Sequence, residues 1–322
     1  MSRLSKWIRL PVAAATALSV AVCWAAFPER GARIVVPFSP GASTDIVARL
    51  LAERFTALWN QPVIVENRVG AGGIIGADFV AKSAPDGYTM LMGSEAISLL
   101  PSVQDLPFDW RTDLKRVSLA ATVPILLVAT AKRNDIGSLA ELVRVAKANQ
   151  GKLNYGTPGK ATVQHLATEL FARSVGIELT HVPFKGAGPA LTDLIAGHID
   201  IMFGAEPSAK GHVNAGRLKA LAVLSSRRLA GMPNVPTAAE AGYPFEEFFW
   251  FGLMVPGKTP PEVVQQISSA AVRVLKEPEL RKRMTDSGLT AVGNSPEEFE
   301  SFFRGQFEKW AKTVGSMKIK LQ

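Results

Sequence analysis

The stretch RIVVPFSPGASTDIVARLLAERF, Arg33 to Phe55, decides the fold class of this chain, because it joins a strand, a turn and a helix. Its beginning is β-branched and apolar, which is typical of a buried strand. Its end, from Ile46 onward, repeats apolar residues at helical spacing. Between them lies PFSPGASTD, Pro37 to Asp45, a turn of small and polar residues. A helix that begins there presents unpaired backbone N–H groups and the positive end of its dipole, so the turn is typical of an anion-binding site.

A second stretch repeats this design. LNYGTPGKATVQHLATELFARS, Leu153 to Ser174, again reads as a strand, a Pro-Gly turn and an amphipathic helix. In this comparison the pair Pro158-Gly159 matches the pair Pro40-Gly41. Strand-like and helix-like segments alternate through most of the remaining chain, which predicts an α/β fold with largely parallel strands and right-handed crossovers.

Two α/β units in tandem predict two lobes. The tail, Pro260 to Lys312, reads as three amphipathic helices that have only the first unit's sheet to pack on. We therefore expect the chain to cross between the lobes near Pro124–Thr130, read as an apolar strand of its own, and to return near Phe248–Pro256. Two crossings form a hinge, and the cleft between the lobes is the expected ligand site. The predicted limits are residues 27–128 and 249–322 for lobe 1 and residues 129–248 for lobe 2.

The first 26 residues have a basic start without acids, an apolar centre and small residues near their end, which is typical of a secretory signal peptide. We expect cleavage near Ala25 or Ala26 and a periplasmic protein. Lipidation at Cys23 is the alternative, and the bulky Val22 before it disfavours that reading. Cys23 is the only cysteine, so the mature chain is expected to have no disulfide and no thiol nucleophile. Loss of the three basic residues of the signal peptide lowers the net charge from +8 to +5, which we read as an ordinary surface excess, with attraction of anionic solutes as the alternative.

Acidic residues stand at three of the strand ends. Glu95 and Glu206 follow strands in MGSEA and FGAEP, where Ser94 precedes the first of them. Such a pair of carboxylates has three readings: an acid and a base in catalysis, groups that bind a ligand's ammonium or amide group, or solvated side chains. We favour the second reading, recognition of a ligand. Asp45 lies in a first helical turn, where an acid pairs with free amides but repels a bound anion. We expect it to face its own loop amides and make the turn rigid, with an indirect role in ligand binding or none.

Other chemistry fits the sequence less well. No turn spells a nucleotide P-loop, and the near match of Gly70–Gly76 to a dinucleotide fingerprint lacks an acid at the next strand's end. The four histidines have no zinc-ligand spacing, so no metal and no cofactor are expected. There is no nucleophile elbow. Ser39, Ser43, Asp45 and His165 could still converge in a cleft, and a periplasmic hydrolase of a small ester or amide stays as the alternative function.

Taken together, the turns resemble one protein family. The Bug family comprises the periplasmic solute-binding proteins of tripartite tricarboxylate transport systems, and the resemblance covers essentially the whole mature chain. It rests on VVPFSPGASTDIVARLLAERF, VIVENRVGAGGIIGADFVAKSAPDGYTMLMGS, LNYGTPGKATVQHLATELF, HVPFKGAGPALTDLIAGHIDIMF, LKALAVLSSRRLAGMPNVPTAAEAGYP and SPEEFESFF.

The resemblance implies a type II periplasmic-binding-protein fold, with two lobes that close on the ligand. It also implies that backbone amides and ordered waters at two facing turns hold a ligand carboxylate. From the first lobe it points to Phe38, Ser39, Gly41, Ala42, Ser43 and Asp45, and from the second to Thr157, Gly159, Ala161 and Thr162 with His165, Phe184 and Lys185 nearby. The family usually has Gly-Gly where this chain has Gly41-Ala42, and a methyl group there would narrow the approach to the backbone.

The implied function is capture of a small carboxylate, such as a di- or tricarboxylate, an amino acid or an aromatic acid. Integral-membrane transporter subunits are the implied partners, and a sensor protein for a signalling role is the alternative. We expect no enzymatic activity and no nucleic-acid partner, and we expect a monomer. Because Glu95 and Glu206 would repel a purely anionic ligand, they suggest a ligand that also carries a cationic, amide or hydroxyl group.

Overall fold

The computed structural model describes residues 27–317, and the predicted signal peptide with Cys23 lies outside this part of the chain. Strands and helices alternate through the described residues, as the sequence predicts. The strands are β1 (Ala32–Val36), β2 (Val63–Asn67), β3 (Thr89–Ser94), β4 (Leu114–Thr130), β5 (Asn154–Thr157), β6 (Thr180–Pro183), β7 (Ile201–Ala205), β8 (Leu218–Val223), β9 (Phe248–Pro256) and β10 (Thr290–Ala291). The α-helices are α1 (Ser43–Trp59), α2 (Ile74–Ala81), α3 (Glu95–Leu99), α4 (Leu139–Ala148), α5 (Val163–Val175), α6 (Ala187–Ala196), α7 (Glu206–Asn214), α8 (Pro261–Leu275), α9 (Pro278–Asp286) and α10 (Pro296–Met317).

The strands form two sheet regions with the same internal order. In the first, β1 pairs with β2 and β3 in parallel, and β3 pairs with the antiparallel β9. In the second, β5 pairs with β6 and β7 in parallel, and β7 pairs with the antiparallel β4. The strand orders β2-β1-β3-β9 and β6-β5-β7-β4 therefore correspond element by element. This correspondence makes the turn after β1 equivalent to the turn after β5, and the end of β3 equivalent to the end of β7.

The strand β4 belongs to both sheet regions. Its residues up to Pro124 pair with β9, and its residues from Ile125 onward pair with β7 and β8. The return crossing lies next to it, because the N–H group of Glu247 donates to the carbonyl of Leu224 at 2.9 Å just before β9 begins. Two adjacent backbone connections thus join the sheet regions, and the change of partner strand falls shortly before the predicted lobe limit at residue 128.

Two predicted elements are wrong. The run Pro124–Thr130 is not a strand of its own but the last part of β4, which begins at Leu114. The polar residues of its first part hid the continuation, since Arg116 is buried and donates to Glu300 of α10 and to two backbone carbonyls. The predicted short helix from Thr237 is a series of turns instead.

The core follows from the periodicity that defines the helices. Val47, Leu51 and Phe55 lie on one face of α1 and are completely buried. Burial of such a side chain stabilises the fold by about 2 kcal/mol, which fixes the helix on its sheet and thereby the turn before it. In residues 27–317 no helix is both long enough and apolar enough to cross a membrane.

Candidate functional site

The turn after β1 is a tight reverse turn, and we call it turn 1 (residues 37–42). The N–H group of Ala42 donates to the carbonyl of Ser39 at 3.2 Å, with Pro40 and Gly41 as the central residues. Gly41 has φ of +82°, which only glycine adopts without strain. The helix α1 begins directly afterwards and has no capping side chain, so the N–H groups of its first turn have no side-chain acceptor.

Asp45 holds turn 1 from within α1. Its carboxylate accepts the N–H group of Gly41 at 2.9 Å, Nε of Arg49 at 2.8 Å and Nδ2 of Asn67 at 2.9 Å. The side chain is buried, and burial by itself raises its pKa, but the hydrogen bonds from Arg49, Gly41 and Asn67 outweigh this effect and lower the pKa below the usual value. The expectation that Asp45 faces its own loop is confirmed, and Arg49 offsets the charge that would repel an anion.

Asn67 is a member of this site that the sequence reasoning missed. Its Nδ2 donates to the carbonyl of Phe38 at 3.0 Å as well as to Asp45, and so it ties the end of β2 to turn 1. A polar residue at the carboxyl end of a strand next to β1 was the available signal. On the other side of turn 1, the ring of Phe38 packs beside Gly73, where an added Cβ would lie 3.4 Å from it.

The turn after β5, which we call turn 2 (residues 158–162), is held by hydroxyl groups. Oγ1 of Thr157 lies 2.9 Å from the carbonyl oxygen of Gly159 and accepts the N–H group of Gly159 at 3.3 Å. Oγ1 of Thr162 donates to the same carbonyl at 2.9 Å and accepts the N–H group of His165 at 3.4 Å as the cap of α5. The N–H group of Phe184 donates to the carbonyl of Thr157 at 2.9 Å, so this residue lies alongside turn 2 and the exposed Lys185 follows it.

His165 takes the place in turn 2 that Asp45 takes in turn 1. Its Nδ1 accepts the N–H group of Ala161 at 3.0 Å, which requires a neutral ring with the proton on Nε2. The ring stacks on His181 with centroids 4.0 Å apart, and His181 stacks in turn on Tyr155 at 4.9 Å. Nε2 of His181 lies 2.7 Å from Oγ1 of Thr157.

Burial keeps both histidines neutral. It lowers the pKa of His165 below its ordinary value, while Glu169 opposes this effect and Lys160 adds to it. Burial lowers the pKa of His181 to about 4, with further contributions from His165 and Lys160. His181 was missed by the sequence reasoning, because its contact with Thr157 depends on the register between β5 and β6.

The two turns correspond through their helix starts, which corrects the predicted match of Pro158-Gly159 with Pro40-Gly41. In each turn the residue before the cap donates its N–H group to the side chain four positions later, from Gly41 to Asp45 and from Ala161 to His165. Gly41 therefore corresponds to Ala161, which has φ of +53° although it is not glycine. Ala42 has φ of −66°, which any residue adopts, so its methyl group causes no strain in the backbone.

Glu95 lies at the end of β3, beside the hinge strands. Ser94 is buried and caps α3. Oε2 of Glu95 accepts the N–H group of Trp250 in β9 at 3.4 Å. Burial raises the pKa of Glu95 to about 7; the N–H group of Trp250 opposes this effect and the nearby carboxylate of Glu247 adds to it. Glu247 is itself buried and accepts a hydrogen bond from Lys309 of α10.

Glu206 lies in different surroundings. Its side chain is buried, and Nζ of Lys210 lies 3.4 Å from its Oε1. It lines a cavity of about 940 Å³ together with the segment 225–233 and the connection between α9 and β10. None of the other predicted ligand residues lines this cavity. The structure thus brings the predicted residues together in three groups, around turn 1, around turn 2 with Phe184, and at the end of β3, while Glu206 lies at the end of β7 and faces this cavity.

The groups of a serine hydrolase are not assembled. Nδ1 of His165 is occupied by Ala161, and Asp45 is occupied by Gly41, Arg49 and Asn67. Within residues 27–317 no hydrogen bond joins Ser39 or Ser43 to a histidine ring. The site therefore offers backbone amides and fixed turns rather than an activated nucleophile.

Comparison with known proteins agrees with this architecture. The model of the family described as "Tripartite tricarboxylate transporter family receptor" matches residues 47–319. The chain is 36% identical to the protein BugT of Bordetella pertussis over 329 aligned residues, which cover 100% of this chain and 99% of that protein. It also resembles the periplasmic binding protein BugD, with 32% identity and a TM-score of 0.78 over 92% of this chain and 100% of that one.

Two further solved structures contain a ligand. R. palustris Rpa4515 with adipate is 33% identical, with a TM-score of 0.82 over 91% of this chain and 99% of that one. MatC (Rpa3494) from Rhodopseudomonas palustris with bound malate is 32% identical, with a TM-score of 0.76 over 89% of this chain and 100% of that one. The fold is that of the periplasmic binding proteins, as predicted. The chain belongs to the tripartite tricarboxylate transporter receptor family, which is a family of periplasmic solute-binding receptors.

Proposed function

We propose that this protein captures a small carboxylate-bearing metabolite in the periplasm and delivers it to the membrane subunits of a tripartite transporter. The observation that carries the proposal is the pair of equivalent turns, in which a side chain of the first helical turn fixes a loop amide. Two observations favour a receptor over an enzyme: the family to which the chain belongs, and the hydrogen bonds that already engage His165 and Asp45 within their own turns. The proposal includes a secreted, monomeric chain without a cofactor.

The chemistry of the two turns suits a carboxylate. The first-turn N–H groups of α1 have no capping side chain, and the dipole of α1 adds positive potential at the same place. The charge of Asp45 is offset by Arg49 at 2.8 Å, so it does not prevent an anion from approaching. In turn 2 the hydrogen bonds of Thr157 and Thr162 fix the carbonyl of Gly159 and thereby orient the neighbouring amides.

The ligands of the similar proteins support this class. Adipate and malate are both dicarboxylates, and each is bound by a protein about a third identical to this chain. We place the ligand between the turns of the two lobes, with one carboxylate at turn 1 and the second polar group toward turn 2. Closure of the lobes on the ligand would then be the signal that a membrane subunit reads.

Thermal-shift measurements with di- and tricarboxylates, amino acids and aromatic acids test the proposal. A ligand present at one hundred times its Kd stabilises the folded state by about 2.7 kcal/mol, so at least one compound is expected to raise the Tm by several degrees. Absence of any shift across these compounds would overturn the proposal. Turnover of an ester or amide that is lost on Ser43→Ala would establish the hydrolase instead.

A substitution in turn 2 locates the site. Gly159→Asp introduces a negative charge at a position where an added Cβ would have the carbonyl oxygen of Phe184 and the methyl group of Thr162 in ordinary contact, at 3.7 and 3.8 Å, and where the φ of +158° adds some backbone strain. We expect at least a tenfold rise of the Kd for the ligand, measured by calorimetry, because the new charge repels a carboxylate. Gly305→Asp, on the exposed face of α10 with open space around it, is the matched control and should bind as the wild type does. Equal affinity of both variants would remove turn 2 from the site.

A further inference from the structure

The two glutamates at the equivalent strand ends differ in their counterions. Glu95 and Glu206 are each the first residue of a helix, after β3 and β7 respectively. Glu206 has Lys210 on the next turn of its own helix, with 3.4 Å between the charged atoms. Glu95 has no ion pair with a described residue. The charged group that acts on the pKa of Glu95 is the carboxylate of Glu247, which raises it. The cation that pairs with Glu247 is Lys309.

The carboxyl group of Glu95 is only partly used by the protein. Oε2 accepts one long hydrogen bond from the N–H group of Trp250. The only other donor beside this carboxyl group among residues 27–317 is the N–H group of Glu95 itself, and the residue is half-buried. A carboxyl group near a like charge and without a cation of its own is costly in a half-buried place. The arrangement leaves room for a positive charge that comes from outside the chain.

The position of Glu95 is beside the proposed ligand site. The strand β3 pairs with β1, so Glu95 and turn 1 leave the same edge of the sheet from adjacent strands. The glycine-rich loop of residues 70–76 contacts both turn 1 and the end of α3, because an added Cβ at Gly73 would lie 3.4 Å from Phe38 and one at Gly72 would lie 3.8 Å from Leu100, the residue after α3. The helix α3 also contacts α5, which begins at turn 2.

We propose that Glu95 is a specificity residue that pairs with an ammonium group of the ligand, so that the preferred ligands are carboxylates that also carry an amine. This inference rests on the proposed function and narrows its ligand class. The turns hold a carboxylate, and Glu95 selects between an amino acid and the same acid without its amine. The contact is a charge-assisted hydrogen bond in a half-buried place, where such bonds are strong.

The preference depends on pH, because only the ionised carboxylate attracts an ammonium group. The charged and titratable groups on the elements around α3 are Glu247 before β9, Glu297, Glu298, Glu300, Arg304, Glu308, Lys309 and Lys312 on α10, and His165, Glu169 and Arg173 on α5. Both buried histidines have lowered pKa values, that of His181 about 4. With a pKa of about 7, Glu95 is mostly ionised at pH 8 and mostly neutral at pH 6. The preference for the amine is therefore expected to fall by about tenfold from pH 8 to pH 6.

Isothermal titration with three matched pairs tests the inference: aspartate and succinate, glutamate and glutarate, 2-aminoadipate and adipate. In the wild type at pH 8 we expect at least one amino acid to bind at least ten times more tightly than its partner without the amine. Glu95→Gln should bring this ratio close to one and abolish its dependence on pH, with little change in the Kd of the partner. Glu262→Gln, a partly exposed acid in the first turn of α8, is the matched control and should keep both the ratio and its pH dependence.

The outcomes separate the inference from the proposed function. A ratio that is the same in the wild type and in Glu95→Gln overturns the inference, as does a wild type that binds only the acids without an amine. If none of the six compounds binds, the inference is overturned, and the proposed function falls as well only when the wider range of carboxylates also gives no ligand. An unchanged Tm of Glu95→Gln without ligand excludes misfolding as the cause of a lost preference.

Discussion

Turn 1 and turn 2 have the same backbone design but are fixed by different chemistry. In both, an amide just before the helix cap donates to the side chain four residues later. Turn 1 uses the charged carboxylate of Asp45, with Arg49 and Asn67 around it, and glycine at the left-handed position. Turn 2 uses a neutral imidazole and alanine at that position.

The difference shows that a receptor can present similar backbone amides from two lobes and yet make the two turns respond differently to pH. A carboxylate holds turn 1 over the whole neutral and alkaline range, because its pKa is lowered. An imidazole holds turn 2 only while it is unprotonated, since a proton on Nδ1 would face the N–H group of Ala161. Turn 2 should therefore be the first of the two to lose its geometry in acid.

The largest effect is expected from removal of the charge in turn 1. Asp45→Ala should lower the free energy of unfolding by about 3 kcal/mol, because it takes a buried acceptor from three donors. Urea denaturation of the ligand-free protein measures this value. Asp286→Ala, an exposed acid paired with Lys282, is the control and should change it by less than about 0.5 kcal/mol.

The sign of the pH effect at Asp45 follows from its lowered pKa. Its contribution is complete above the ordinary pKa of an unfolded aspartate and is lost as the pH falls through the lower folded value. A loss below about 1 kcal/mol in Asp45→Ala would show that turn 1 does not depend on this carboxylate.

An intermediate effect is expected from acid at turn 2. His165 and His181 have folded pKa values below the unfolded value, so the unfolded chain takes up protons first. Their contribution is complete above about pH 6.5 and is lost as the pH falls, by about 2 kcal/mol between pH 6.5 and 4.5. The double variant His165→Gln, His181→Gln should be less sensitive to pH in urea denaturation over this range.

The control for this comparison is His198→Gln, since that ring is exposed and lies 3.4 Å from Asp193. It should keep the sensitivity of the wild type. If the double variant loses stability with acid as steeply as the wild type does, the stacked histidines are not the groups that take up the protons.

The smallest effect on the free energy of unfolding is expected from substitutions at the two positions with positive φ, Gly41 and Ala161. Gly41→Ala should cost about 1 kcal/mol from backbone strain alone, because nothing lies within 4 Å of the added Cβ. Ala161→Gly should instead stabilise the fold by a few tenths of a kcal/mol to about 1 kcal/mol, since it removes the same strain at φ of +53°. Opposite signs in thermal denaturation would support the equivalence of the two positions, and equal signs would contradict it.

The sequence predicts the local parts of this molecule well and the long-range parts poorly. Both turns, their helices and the role of Asp45 in its own loop follow from patterns within a few neighbouring residues. The contacts of Asn67 with Asp45, of His181 with Thr157 and of Lys309 with Glu247 join separate elements, and no local pattern reveals them. The wrong start of β4 has the same origin, because Arg116 interrupts the apolar pattern of the strand and its distant partner Glu300 is not visible in the local sequence.

The shared strand β4 has a consequence for how the chain reaches its native state. Lobe 2 is inserted between the two crossings. The last part of β4 pairs with β7 in the sheet of lobe 2, and the first part of β4 pairs with β9 in the sheet of lobe 1. The sheet of lobe 2 is complete once β8 has been synthesised, but the first part of β4 must wait for β9, which ends at Pro256, to pair with it. The first part of β4 therefore keeps an unpaired edge while the whole of lobe 2 is synthesised, and the sheet of lobe 1 is completed after that of lobe 2.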